Sequence, residues 1–159
     1  MLFGTTSHLP LALLAATLLS TTPSQAATLE RLSAVTPRNI SVSYDRTYDS
    51  ALTTSDDVSC SDWLKTKGYV TLFELPSFPR VAGADIIDGS HSSLCGQCWQ
   101  LAYHSPTETN VHVLVIDTAK KGFTISEHAM NDLTDGKAGS LGRVEAVGKV
   151  VARDHCGMQ

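Results

Sequence analysis

Asp117 closes the run Val111-His112-Val113-Leu114-Val115-Ile116-Asp117, so the sequence delivers one carboxylate to the end of an apolar strand. A carboxylate held rigidly there can accept hydrogen bonds from sugar hydroxyls or an amide. It can equally open a turn and satisfy local backbone donors, as Asp readily does. Glycoside hydrolysis asks for more, ordinarily two carboxyl groups about 5–9.5 Å apart with complementary roles. Glu145 is acidic too, but no signal in the sequence assigns it the part of base or nucleophile. Binding without cleavage is therefore the expectation. Arg143 can bond sugar hydroxyls or pair with Asp117 or Glu145, and Tyr44 offers a hydroxyl on a ring that packs.

The second chemical group is the cysteines: Cys60, Cys95, Cys98 and Cys156. Cys95-Gly96-Gln97-Cys98 has redox spacing, but the residues after Cys98 alternate like a strand, whereas a reactive thiol pair wants a helix N-terminus. A zinc site is disfavoured in an oxidising compartment. His91, His104, His112, His128 and His155 are scattered without metal-ligand spacing, so neither metal nor cofactor is expected. An even count of cysteines in an exported chain reads as two disulfides, with three connectivities open.

The export reading comes from residues 1–26. No Lys, Arg, Asp or Glu precedes Glu30, residues 9–19 are apolar, and Ser24-Gln25-Ala26 supplies small residues for cleavage. Eleven apolar residues are too few for a span, which needs about 20. Residues 27–38 read as an N-terminal arm, and 39–159 as one domain. The formal net charge of −4 and pI near 5.8 disfavour nucleic acid and anionic membranes as partners. Asn39-Ile40-Ser41 is a glycosylation sequon, relevant in an exported chain.

Strand alternation covers Asn39 to Tyr44, Lys67 to Phe73, Cys98 to Tyr103, Val111 to Asp117 and Leu141 to Ala152. Tyr48 to Ser59 and His104 to Asn110 are polar loops, and the state of Val81 to Gly89 is open. Ser126 is a plausible N-cap for one helix ending before Gly136. Short strands with little helix favour a small barrel. Trp99, directly after Cys98, belongs in the core.

Ser41-Val42-Ser43-Tyr44-Asp45, Cys60-Ser61-Asp62, Leu75-Pro76-Ser77-Phe78-Pro79, Cys95-Gly96-Gln97-Cys98-Trp99-Gln100, Val113 to Asp117, Gly122 to Ser126, Ala129 to Thr134 and Gly142-Arg143-Val144-Glu145 succeed one another in order. Together they resemble the cerato-platanin family of small secreted fungal proteins over about residues 39–157. The resemblance implies a mainly β fold with one or two short helices, a six-stranded double-psi β-barrel. It also implies the pairs Cys60–Cys95 and Cys98–Cys156. It further implies a shallow groove, lined here by Tyr44, Asp117, Thr124, Arg143 and Glu145. The groove would bind chitin and N-acetylglucosamine oligosaccharides, with cellulose a second polymer.

The same resemblance implies a secreted protein at the fungal cell wall, expansin-like loosening without hydrolysis, and elicitation of plant defence through a plant receptor. Two positions depart from the family pattern. Thr124 stands where Asn is common, and Glu145 where Asp is, so ligand preference is expected to be retuned while the fold is kept. A barrel-type endoglucanase and a surface-active wall protein are the alternative functions.

Overall fold

The computed structural model describes residues 36–104 and 107–159, together with Met1. Apart from Met1, the expected export segment lies outside the described residues, as does the arm up to residue 35. Six strands close into a barrel: β1 (Arg38–Tyr44), β2 (Val81–Ala84), β3 (Cys98–His104), β4 (Glu108–Thr118), β5 (Phe123–Ile125) and β6 (Arg143–Val151). Their order around the wall is β1-β5-β2-β4-β3-β6. The β1–β5 and β2–β4 contacts are parallel and the other four antiparallel. This is the mixed six-stranded barrel that the resemblance implies. Among the described residues three short helices accompany it: α1 (Ser61–Thr66), α2 (Glu127–Thr134) and α3 (Ala138–Leu141).

Alternation along the strands sorts the side chains onto two faces. Ile40, Val42, Ala82, Ala84, Leu101, Val111, Val113, Val115, Phe123, Ile125, Val144 and Ala146 fill the interior. Trp99 joins them, only 6% exposed, as its position beside Cys98 leads one to expect. A second cluster forms outside the wall, where Val81, Leu114 and Ile116 are covered by Tyr48, Val58, Leu64, Leu72, Leu75 and Met158. The segment Tyr48 to Ser59 is therefore more than a solvated loop. It forms two 3-10 turns, Arg46–Asp49 and Ser55–Asp57, that seal the outer cluster.

Both disulfides close as the resemblance implies, Cys60 to Cys95 and Cys98 to Cys156. Gly96 holds the turn between them at φ +73°, and the Trp63 ring from α1 lies where a Cβ would stand. A side chain there would displace the indole.

The strand expected over Lys67 to Phe73 is absent. α1 ends at Thr66, and Gly68 reverses the chain at φ +86°. The segment then makes one bridge, Thr71 to Thr54, before the 3-10 turn Leu72–Glu74. Val70 is 63% exposed while Leu72, two residues on, is fully buried, so the apparent alternation never presents one common face to a sheet. The last strand begins at Arg143 rather than Leu141, because Leu141 finishes α3. The loop between β3 and β4 is shorter than expected, since pairing continues to His104–Glu108. The helix capped by Ser126 is present, with Ser126 Oγ accepting from the Ala129 N–H at 3.0 Å.

Candidate functional site

Strand registers bring five sequence-distant residues into one lateral row on the outside of the barrel. Arg143 on β6 pairs with Ser43 on β1, and Ser43 pairs with Thr124 on β5. Thr124 pairs with Gly83 on β2, and Gly83 with Asp117 on β4. Ser43 and Thr124 lie between inward residues of their strands, so their hydroxyls face out, with oxygens 3.4 Å apart. Arg143 spans two serines, donating from Nη1 to Ser41 Oγ and from Nη2 to Ser43 Oγ, each at 3.0 Å. Of the roles open to Arg143, neither carboxylate takes it; two serine hydroxyls of β1 hold the guanidinium.

Asp117 reaches this face because the β2–β4 register slips. Val81 and Ala82 pair with Leu114 and Val115, but Gly83 pairs with Asp117, which leaves Ile116 as an extra residue. Simple alternation from Val113 and Val115 would have turned Asp117 inward. The irregularity re-aims it, as bulges do beside functional sites. Its carboxylate is then pinned by three donors. Oδ2 accepts from the Tyr48 hydroxyl at 2.9 Å, and Oδ1 from the Ser59 N–H at 2.8 Å and the Thr118 N–H at 2.7 Å. The turn-forming behaviour open to any Asp is thus realised. The half-buried carboxylate also stays at the rim of the row.

Tyr48 and Gly83 are the parts that sequence reasoning missed. A Cβ on Gly83 would come within 2.8 Å of the Tyr48 hydroxyl and 2.5 Å of the Thr118 carbonyl oxygen. The missing side chain is what lets the phenol lie across β2 to Asp117. Burial raises the Tyr48 phenol far above its ordinary range, and the charge of and bond to Asp117 add to this. It therefore remains a donor at any working pH. The small-residue run Val81-Ala82-Gly83-Ala84 was the available signal for such a close approach.

Tyr44 is not in the row. It packs half-buried against the interior cluster at the end of β1. Glu145 pairs with Ser41, one step beyond Arg143 on the same outward face. There the surface dips into a concavity of about 270 Å³, walled by Arg38, Asn39, Ser41, Asp85, Lys121 and Glu145. Asn39 is exposed at its edge, paired with Val147. The face thus offers hydroxyls, the Arg143 and Arg38 guanidiniums, and the carboxylates of Asp117, Glu145 and Asp85 along an open strip. Among the described residues there is no group of three or more His, Cys, Asp or Glu placed to hold a metal ion.

The cerato-platanin family model matches residues 40–158, which takes in every strand from Ile40 onward and all four cysteines. "Allergen Asp f 15" of Aspergillus fumigatus is 42% identical over 135 residues, covering 79% of this chain and 86% of that protein. The crystal structure of cerato-platanin 2 from M. perniciosa superposes with a TM-score of 0.72 at 30% identity, covering 76% of this chain and all of that one. The solution structure described as the fungal elicitor Cerato-Platanin gives 0.64 at 32% identity, over 74% and 96% of the two chains. The family model and the relatives match most of the chain in sequence, the solved structures share its fold, and the chain belongs to the cerato-platanin family.

Proposed function

We propose that this chain is a secreted, non-catalytic carbohydrate-binding protein that acts at the fungal cell wall, loosens wall polysaccharide without cleaving it, and elicits plant defence. Its ligands on this reading are chitin and N-acetylglucosamine oligomers, with cellulose a second polymer. The observation that carries the reading is the row Arg143–Ser43–Thr124–Gly83–Asp117. Such a strip can exchange hydrogen bonds with several sugar hydroxyls and an acetamido group, chiefly at its Arg143–Ser43–Thr124 part, since the Tyr48 phenol covers Gly83. The elicitor activity rests on the name given to one structural relative. An N-glycan on Asn39 would sit beside the concavity at the Glu145 end.

Catalysis is disfavoured by the state of Asp117, whose two carboxylate oxygens already accept from the Tyr48 hydroxyl and from the Ser59 and Thr118 N–H groups. A hydrolase ordinarily needs a second carboxylate with a complementary role beside such an acid. Titrating chitin oligomers into labelled protein should shift the amides of Ser43, Thr124, Asp117 and Arg143. No shift along the row would sink the binding reading. Release of reducing ends that vanishes in Asp117→Ala would revive the hydrolase.

A surface-active role has its own observation: Leu52, Val70 and Phe73 are 86%, 63% and 65% exposed. The Leu72 N–H bonds the Thr53 carbonyl and the Ser55 N–H the Val70 carbonyl, which gathers these apolar groups at one end of the molecule. Film formation at an air–water interface that Phe73→Ser abolishes, while chitin titration is unchanged, would separate that property from sugar binding.

A further inference from the structure

A second concavity, of about 380 Å³, lies where β4 begins, roughly 17 Å along the strand from Asp117 at about 3.3 Å per residue. That volume falls in the range of about 300–1,000 Å³ typical of small-molecule sites. Its walls include Phe78, Arg80, Asn110, His112, Asp132 and His155. The His112 and His155 rings stack at 4.9 Å between centroids and 25° between planes. Stacked imidazoles aim their in-plane lone pairs side by side rather than at one point, which suits two parallel N–H donors better than a shared metal ion. Ser77, in the same wall, holds the one buried side-chain oxygen among the described residues that lacks a hydrogen-bond partner. Asn110 adds an amide, and the Phe78 ring, edge-on to Phe73, adds an apolar surface.

The charges around the pair favour an anion. Lys149 lies in the same lateral row as His112, through Gln100 of β3. Across the cleft Arg80 is bound to Asp132, with Nε–Oδ2 at 2.9 Å and Nη2–Oδ2 at 2.8 Å, so this acid is already neutralised. His128 approaches the same carboxylate at 3.7 Å from one turn earlier in α2. Arg153 and Asp154 precede His155 in its 3-10 turn. Protonating both stacked rings therefore leaves net positive charge that only an incoming anion can relieve.

We propose that this cleft is a second sugar site, for a carboxylate-bearing residue such as the uronate of an acidic oligosaccharide. The carboxylate is held by His112 and His155, the ring lies against Phe78, and Asn110 and Ser77 supply the hydrogen bonds that hydroxyls need. Burial, the neighbouring His155 and Lys149 all lower the His112 pKa in the free protein, so binding of an anion there must draw a proton onto His112. Affinity rises as pH falls below the ordinary imidazole value of 6.5.

Calorimetry and amide spectra of the whole protein with a galacturonate trimer, a chitin trimer and sodium phosphate test this. The uronate should bind at least about tenfold more tightly at pH 5 than at pH 7.5, through charge-assisted bonds. It should shift His112, His155 and Phe78, weaken in His155→Gln and Phe78→Ala, and persist in Thr124→Ala. Asn110→Ala serves as the second probe should either cleft variant lose its native spectrum. Uronate binding independent of pH, shifts confined to the Thr124 row, or phosphate binding as tightly as the uronate would each overturn it. The chitin arm reports on the row alone, so failure there leaves this cleft untouched.

Discussion

At the scale of single residues, the tightest construction is Tyr48 over Gly83 onto Asp117. Replacing Tyr48 with Phe removes a donor to a charged acceptor while keeping the ring in the outer cluster. A loss of about 2 kcal/mol in urea unfolding is expected, together with weaker chitin binding as Asp117 loosens. Gly83→Ala drives a methyl into the phenol and the Thr118 carbonyl, for an expected cost of about 1–3 kcal/mol. Its spectrum should show Tyr48 displaced. His112 makes a pH prediction whose sign is set by its lowered pKa. The folded state resists protonation, so stability held with the ring neutral is lost as pH falls from the ordinary 6.5 toward the lowered value. His112→Gln should flatten that acid decline when urea midpoints at pH 7 and pH 5 are compared. Asp117, Thr124 and Arg143 were legible in the sequence through the ordered motifs around them. Tyr48 was not, because it lies 69 residues from Asp117 in a polar segment, and only the closed wall brings the two together.

At the scale of elements, α2 is fixed at its N-terminus by two separate side chains. Ser126 caps the Ala129 N–H, and Asp49 from the Arg46–Asp49 turn accepts from the Glu127 and His128 N–H groups at 2.7 and 3.0 Å. Arg46 returns a two-pronged pair to Glu127 at 2.8 and 2.9 Å. Ser126→Ala should cost about 1 kcal/mol in thermal or urea unfolding, the usual value of a lost N-cap. Alternation identified β1, β3, β4 and β6 because each is long enough to show its period. β2 has four residues, all buried, and β5 three, so neither carries a readable pattern. Tyr69, Thr71 and Phe73 mimicked a strand, but the glycine after α1 had already set the chain on another course. The slip at Ile116 was invisible for a different reason: it is a relation between two strands, and no single segment encodes it.

For the whole molecule, the staples matter as much as the apolar core. The pairs close separations of 35 and 58 residues, each worth about 4 kcal/mol in the chain-entropy account. Replacing Cys98 and Cys156 by Ser should lower the guanidinium midpoint correspondingly. It should also free the turn bearing His155, which the disulfide ties to β3. The barrel order has a consequence for how other molecules can recognise the face. Its five row positions come from residues 43, 83, 117, 124 and 143, so a short peptide cut from this chain contains at most two of them, Asp117 and Thr124. An antibody raised against the row reads a discontinuous epitope, and should lose its target on a reducing, denaturing blot while still binding the native protein. Antibodies to linear peptides that contain none of these five residues and lie away from the row should leave oligosaccharide binding undisturbed.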